Sequence, residues 1–265
     1  MRTIRLRLAY DGTDFCGWQR QTDPGQDGAG RRSVQECIEA ALARMHKRPV
    51  ALTGAGRTDS GVHASGQVAG FRTDIGSIEP GRFVQALNGL LPRDVRILEA
   101  RETIPDFHAR FDASSRTYRY RFVCGRHALP HESRYALQLW RRPRIGLLNE
   151  YCRLLLGERD CSVFAAAGDS SKSRYRYISR AVFFPEGDGL VFEICANAFL
   201  WKMVRSVAGT LLHYEQRDTP AGLLREAIES GNRRLAGPTL PPHGLFLWKV
   251  AYHRGAAANE KRILP

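Results

Sequence analysis

Two hydrophobic patterns, one repeating every two residues and one with the period of a helix, alternate along this chain. The clearest strand pattern covers residues 116–122, where aromatic residues alternate with polar and basic ones. The clearest helical stripe follows Ser33, whose Ser-x-x-Glu spacing predicts a capped helix from residue 34. Because strands and helices interleave twice over comparable lengths, the sequence predicts an α+β fold of two ferredoxin-like or RRM-like split βαβ domains.

The predicted elements also suggest where the domains begin and end. Strands are predicted at residues 4–9, 67–71, 95–98, 116–122, 180–184, 190–195 and 245–252. Helices are predicted at residues 34–45, 81–91, 145–156, 199–214 and 221–229. We therefore expect an N-terminal domain at 1–108, a C-terminal domain at 109–252 and a tail at 253–265. A ligand site in a central cleft between the two domains is the default expectation.

The composition is typical of a globular protein and excludes several other classes. Of the 265 residues, 43% are hydrophobic and 25% are charged, which excludes disorder, a fibrous repeat and a coiled coil. No apolar run approaches the roughly 18 residues of a membrane span, and the N-terminus lacks the apolar core of a signal peptide. The six cysteines include no Cys-x-x-Cys pair, which favours reduced thiols. We expect a cytoplasmic protein with no membrane contact.

The charge balance points to a polyanionic partner. The chain has 40 Lys and Arg against 27 Asp and Glu, a net charge of +13. Only five of the 40 cations are Lys, and the planar guanidinium of Arg suits both phosphate binding and stacking on bases. Genome composition could account for the Arg-to-Lys ratio. It does not account for the net charge, which favours nucleic acid as the partner.

The most unusual stretch is a glycine-flanked loop at residues 54–64 that presents Asp59 close to Arg57. It matches neither a phosphate-binding P-loop nor the dinucleotide-binding Gly-x-Gly-x-x-Gly motif. An aspartate between glycines can simply stabilise its own turn. If Asp59 is functional, the neighbouring guanidinium keeps it ionised, so it suits a nucleophile or a base better than a general acid. The sequence offers no second carboxylate nearby and no metal-ligand spacing, so no metal site is predicted.

Two further stretches could contact a nucleic acid. The strand at residues 116–122 has an aromatic face that could stack on bases, although Tyr120 and Phe122 are better explained as core residues. Tyr118, at the start of that strand, is the residue expected to reach a cleft. In the segment 199–205, the helical core stripe leaves Lys202 and Arg205 on another face, where a solvated basic surface is the ordinary interpretation.

Several motifs in one order resemble a known family. The motifs are Tyr10-Asp11-Gly12-Thr13-x-Phe15-x-Gly17-Trp18-Gln19-Arg20-Gln21, Ser33-Val34-Gln35, Gly56-Arg57-Thr58-Asp59-x-Gly61-Val62-His63, Gly66-Gln67-Val68, Asn88-x-x-Leu91-Pro92-x-Asp94, Phe107-His108-Ala109-Arg110-Phe111, Arg116-Thr117-Tyr118-Arg119-Tyr120, Asn197-Ala198-Phe199-Leu200-x-x-Met203-Val204-Arg205, Gly209-Thr210-Leu211 and Gly244-Leu245-x-Leu247-x-x-Val250-x-Tyr252. Together they resemble the tRNA pseudouridine synthase A family over residues 4–252. The chain departs from the family pattern at Ser60, in the long loop 22–32 and at residues 213–218.

The resemblance implies a pseudouridine synthase fold and a cofactor-free isomerase that acts on uridines 38, 39 and 40 of the tRNA anticodon stem-loop. It implies that Asp59 is the essential carboxylate, that Arg205 pairs with it, and that Tyr118 stacks on the uracil. Leu245 is then an apolar wall against the base, and Arg57 holds or replaces the flipped nucleotide. The family resemblance also implies a homodimer.

Two other functions fit parts of the sequence. A non-catalytic RRM-like RNA-binding protein would use the basic surface and the aromatic strand but would not need Asp59. A base-excising glycosylase would release free uracil. The nucleophilic and proton-abstracting roles of Asp59 both remain open at this stage.

Overall fold

The structure is a computed structural model that describes residues 1–20 and 32–253. The predicted loop at 22–32 and the predicted tail at 253–265 lie, apart from Arg32 and His253, outside the described residues. The strands are β1 (Arg2–Tyr10), β2 (Leu52–Gly54), β3 (His63–Thr73), β4 (Val95–Thr103), β5 (Ala113–Cys124), β6 (Leu137–Leu139), β7 (Gly157–Asp160), β8 (Tyr175–Glu186), β9 (Gly189–Ala196) and β10 (Leu245–Tyr252). The helices are α1 (Val34–His46), α2 (Arg82–Asn88), α3 (Ile145–Leu155), α4 (Met203–Gln216) and α5 (Ala221–Ser230), with short 3-10 turns at Ser162–Phe164 and Arg233–Leu235.

The chain divides into two compact units whose bounds differ from the expected domains. Unit 1 comprises residues 1–114 together with the chain from Leu247 onwards, and unit 2 comprises residues 115–246. The expected boundary lies at 108/109, with all of β10 in the C-terminal domain. The difference at β10 has a physical reason, since this strand pairs with β3 and therefore adds its last residues to the sheet of unit 1.

Unit 1 is built on a sheet in the order β4-β1-β3-β10, in which β1 is antiparallel to both β4 and β3, and β2 is also paired antiparallel to β3. The order β4-β1-β3-β2 is that of a split βαβ unit, as predicted. The period-two pattern at the N-terminus is confirmed, because Ile4, Leu6 and Leu8 are fully buried while Arg7 points to the other face and is exposed. Helix α1 begins as predicted, with the Ser33 side chain accepting a hydrogen bond from the Glu36 amide at 3.1 Å.

Unit 2 is built on a sheet in the order β5-β9-β8-β7, antiparallel throughout, with β6 paired in parallel to the end of β5. The predicted α+β class is therefore confirmed. Tyr120 and Phe122 are buried, as expected for core residues of β5. Helix α4 begins at Met203 rather than at the predicted residue 199, because Lys202 adopts a left-handed conformation with φ 58°. Within the described residues, no helix is long and apolar enough to span a membrane.

Candidate active site

The Asp59 loop (residues 55–62) connects β2 to β3 in unit 1. Asp59 is half-buried, Thr58 is buried and Arg57 is exposed. The amide of Val62 donates a hydrogen bond to the Asp59 carbonyl at 3.2 Å, and Gly61 between them has φ 75°. A tight turn therefore follows Asp59 directly, and its positive φ explains the glycine two residues after the carboxylate.

The opening motif (residues 10–20) holds this loop on both sides of Asp59. The amide of Trp18 donates to the Thr58 carbonyl at 3.1 Å, and the hydroxyls of Tyr10 and Thr58 lie 2.9 Å apart. On the other side, the Ser60 hydroxyl donates to the Phe15 carbonyl at 3.2 Å. Burial raises the pKa of Tyr10 well above its ordinary value, so its hydroxyl stays protonated. Residues 58 and 60 are thus both fixed, which fixes the backbone that carries Asp59.

Two glycines of the opening motif let its backbone come against the Asp59 loop. A Cβ atom on Gly12 would lie 2.0 Å from the Val62 carbonyl oxygen. A Cβ atom on Gly17, which has φ 115°, would lie 2.5 Å from the Thr58 carbonyl oxygen. No side chain fits at either distance. From the sequence, Asp11-Gly12 predicts a turn after β1. The close approach of Gly12 and Gly17 to the Asp59 loop was not predicted, although two glycines in one short segment are a signal of such an approach.

The start of the loop is held by a buried amide. Gln67, on β3, is fully buried and its Nε2 donates to the Gly56 carbonyl at 2.8 Å. The neighbouring Val68 carbonyl accepts from the Ala55 amide at 2.8 Å. Arg57 donates from Nε to the side-chain oxygen of Gln19 at 3.1 Å, which orients an otherwise exposed guanidinium. Like Gly12 and Gly17, Gln67 has a supporting role that the sequence did not predict.

In unit 2, Tyr118 lies on β5 and is 8% exposed. Its ring packs edge-on against Phe199 with the ring centroids 5.1 Å apart. Two residues further along the strand, Tyr120 donates its hydroxyl hydrogen to the Pro241 carbonyl at 2.7 Å. The strand that carries Tyr118 is therefore bound to the segment that leads into β10.

Arg205 lies in the first turn of α4 and is half-buried, so it does not belong to a solvated basic face. Its Nε donates to the Leu240 carbonyl at 2.6 Å, and the Leu240 amide donates back to the Arg205 carbonyl at 3.3 Å. Residues 236–244, which we call the strap, thus cross the helix at Arg205. Leu245 follows the strap directly and is buried, with its amide donating to the Pro242 carbonyl at 2.9 Å.

Glycines also allow the strap to pack closely against α4 and β5. A Cβ atom on Gly209 of α4 would lie 1.8 Å from the Pro238 carbonyl oxygen, and one on Gly244 would lie 2.5 Å from the Tyr120 ring. The Gly237 amide donates to the Thr210 hydroxyl at 3.0 Å. The structure therefore gathers Arg205, Leu245 and the strand of Tyr118 around the strap in unit 2, and it places Arg57 and Asp59 on one loop of unit 1.

A cluster of arginines around Glu215, in the last turn of α4, holds the other end of that helix. The Glu215 side chain is 0% exposed and accepts hydrogen bonds from Arg141 at 2.6 and 3.0 Å and from Arg144 at 3.1 Å. Burial acts to raise the pKa of Glu215, but the hydrogen bonds from the two arginines outweigh it and hold the pKa below its ordinary value. Glu215 is therefore ionised and paired at neutral pH.

Comparison with known proteins assigns the family. The model of a family described as tRNA pseudouridine synthase matches residues 8–112 and 151–253. The chain belongs to this family. The matched segments contain four of the predicted site residues, namely Arg57, Asp59, Arg205 and Leu245, whereas Tyr118 lies between the segments.

Individual members of the tRNA pseudouridine synthase family are similar to this chain over almost its whole length. The tRNA pseudouridine synthase A of Treponema denticola is 51% identical over 251 residues, which cover 95% of this chain and 93% of the relative. The protein of the same name from Treponema pallidum strain Nichols is 47% identical and covers 92% of this chain and 85% of the relative. That of Bacillus pumilus is 40% identical, with 94% and 98% covered.

Proposed function

We propose that this protein is an isomerase that converts uridines 38, 39 and 40 of the tRNA anticodon stem-loop to pseudouridine. The observation that carries the proposal is the Asp59 loop, a half-buried carboxylate whose two flanking residues are fixed by the opening motif. A carboxylate held in this way is prepared for reaction at one position of a bound nucleotide, since its geometry need not be organised during turnover. Family membership and the names of the relatives support the same function.

The proposed reaction is a redox-neutral rearrangement that needs no cofactor. The N1–C1′ bond of the uridine breaks, the uracil turns while it remains bound, and a C5–C1′ bond forms. The proton on C5 leaves, and N1 takes up a proton. Asp59 either attacks C1′ or removes the 2′ proton. The target must first leave the base stack, which costs a few kcal/mol, so a loosely paired stem end is the favourable substrate.

The remaining residues are proposed to bind and orient the nucleotide. Arg205 is the cation that acts on the same nucleotide as Asp59, and its bond to the strap fixes the guanidinium in one orientation. Tyr118 stacks on the uracil, with Phe199 against its ring to hold the stacking plane. Leu245 forms an apolar wall for the base, and Arg57 holds the extruded nucleotide or fills the gap that it leaves.

We further propose that the protein works as a homodimer in the cytoplasm, with basic surfaces that bind the tRNA outside the reaction centre. A net charge of +13 supports a polyanionic substrate. If several phosphates are neutralised, the affinity for tRNA falls steeply as salt rises from about 50 to about 200 mM. An affinity independent of salt would contradict the charge argument. The alternative of a non-catalytic RRM-like RNA-binding protein is less well supported, because it gives no reason for the fixed Asp59.

The test of the proposed function is tritium release from tRNA that carries [5-³H]uridine. Isomerisation must expel the C5 hydrogen, whereas binding or base excision need not. We expect release with the wild type, none with Asp59→Asn, and wild-type release with Asp106→Asn, which alters an exposed aspartate of the same unit outside the opening motif. Absence of release with the wild type on a full tRNA pool would overturn the function. Undiminished release with Asp59→Asn would remove Asp59 from the reaction.

A further inference from the structure

A loop of unit 2, residues 166–174, is docked onto the chain just before α4. The Ala166 amide donates to the Trp201 carbonyl at 3.3 Å, and the Trp201 amide donates to the Asp169 carboxylate. The same carboxylate accepts from the Ser171 amide at 2.9 Å and pairs with Arg174 at 2.9 Å. Its side chain is only 3% exposed. The loop is therefore bound to the backbone of Trp201 at two points, by the Ala166 amide and by the Asp169 carboxylate, which also binds Ser171 and Arg174.

The residue held by this loop, Trp201, exposes a large aromatic side chain to solvent. Trp201 is 46% exposed, and the ammonium group of Lys202 lies 4.3 Å from its ring centroid. Lys172, at the tip of the docked loop, is also exposed. The backbone of Lys202 is in a left-handed conformation, which sets the direction of the Lys202 side chain. An exposed indole with cations beside it is the arrangement that proteins use to stack on an unpaired base while binding the adjacent phosphates.

We propose that Trp201 stacks on an unpaired base of the substrate RNA, with Lys172 and Lys202 at the flanking phosphates, and that Asp169 is the positioning residue for this contact. The inference rests on the proposed function. Trp201 and Arg205 are four positions apart in the sequence, so their Cα atoms lie no more than about 14 Å apart. A base on Trp201 is therefore within a few nucleotides of the uridine on which Arg205 acts. The local excess of cations favours RNA over a second copy of this basic chain as the occupant.

The experiment compares tRNA affinity and steady-state tritium release among variants of the full-length protein. We expect Trp201→Ala to raise Kd and KM about tenfold, because one base–aromatic stack is lost. The effect on kcat should be smaller. Trp201→Phe should recover most of this loss. Trp140→Ala is the matched control, because it removes another exposed tryptophan of unit 2 and should leave Kd and KM unchanged.

The role of Asp169 is tested by asking whether the effect of its substitution depends on the presence of Trp201. Asp169→Asn keeps the shape of the side chain but removes the charge that pairs with Arg174. A positioning role predicts that Asp169→Asn raises KM in the wild type but adds little in the Trp201→Ala background. An additive effect would indicate a purely structural role and overturn this assignment.

Failure of this inference can be distinguished from failure of the proposed function. If the wild type releases tritium and Trp201→Ala has unchanged Kd and KM, the stacking site is wrong and the function stands. If Trp201→Ala converts a dimer to a monomer in sedimentation and recovers its affinity at high protein concentration, Trp201 belongs to a contact between copies, which also overturns the proposal. Circular dichroism melting of each variant establishes that it is folded.

Discussion

The Asp59 loop of unit 1 and the first and last turns of α4 in unit 2 are held in place by different physical means. The loop is fixed by neutral hydrogen bonds and by backbone contacts that only Gly12 and Gly17 permit. Helix α4 is also approached by glycines of its own unit, but its last turn is fixed by the buried carboxylate of Glu215 between two arginines. Steric fit is indifferent to pH and salt, whereas a buried ion pair depends on the charge of both partners.

We therefore expect the two units to lose their folded structure under different conditions. At the Asp59 loop the sensitive positions are those where an added methyl group has no room. At the last turn of α4 the sensitive position is the buried charge of Glu215. Variants that remove one kind of support should therefore separate the two units by experiment.

The largest effect is expected at Arg205, where function and support coincide. Arg205→Ala removes the proposed cation of the reaction centre together with the Nε bond to the Leu240 carbonyl. By analogy with other lost charge-stabilising donors, we expect turnover to fall by about 10²–10³-fold or more, equivalent to about 3–4 kcal/mol. Affinity for tRNA should stay within about a factor of ten. Single-turnover tritium release and filter binding measure the two quantities, and retained turnover would remove Arg205 from the site.

Glu215→Gln should destabilise the protein by about 2 kcal/mol, because it removes the charge of a buried acceptor of hydrogen bonds from Arg141 and Arg144, whereas the two half-exposed guanidinium groups can regain water. Urea unfolding followed by fluorescence provides the measurement. Glu226→Gln, an exposed position on α5, is the control and should leave the unfolding midpoint unchanged. Equal effects of the two substitutions would mean that the buried cluster does not hold α4.

Gly17→Ala should destabilise unit 1 by about 2 kcal/mol, since the new methyl group meets the Thr58 carbonyl and the residue must keep a positive φ. Tritium release should fall in the folded fraction as well, because the contact is next to Asp59. The control is Gly146→Ala in α3, where a Cβ atom meets nothing within 4 Å. That change should stabilise the protein by about 0.5–1 kcal/mol through helix propensity.

The smallest effect is expected from acid below about pH 4, and it should appear in unit 2. Asp169, Glu193 and Glu215 are largely buried there, and hydrogen bonds outweigh burial to hold each pKa below its ordinary value. Their stabilising contribution is therefore present above the unfolded-state pKa values of about 4 and is lost as pH falls through the lower folded-state values. Hydrogen exchange at falling pH should show unit 2 losing protection before unit 1. Earlier loss in unit 1 would contradict the comparison.

Much of the fold could be predicted from periodicity. The alternation of β1 and β5 and the cap of α1 gave the correct elements, because each is determined by residues near one another in the sequence. The short strands β2, β6 and β7 were missed, since three or four residues carry no readable period. The start of α4 was misplaced because the left-handed conformation of Lys202 leaves no compositional sign.

The candidate site residues could be predicted from the sequence, but the residues that hold them in place could not. Asp59 was singled out by its glycine-flanked loop and by resemblance. The contacts of Gly12 and Gly17 with that loop join segments about 40 to 50 residues apart, and that of Gln67 buries an amide in the sheet. Periodicity does not record such pairings. The same limitation applies to the strap, whose partner Arg205 lies 35 residues before it in the sequence.

The membership of β10 in unit 1 also has a consequence for biosynthesis. A ribosome makes the chain from residue 1 onwards, so the sheet of unit 1 lacks one of its strands until residues 247–252 have been synthesised. The Trp248 carbonyl packs where a Cβ atom on Gly66 would sit, in the same part of β3 as Gln67, which holds the start of the Asp59 loop. The chain of unit 2 is therefore synthesised first, and the part of β3 that holds the Asp59 loop acquires its β10 neighbour only after unit 2 has been made.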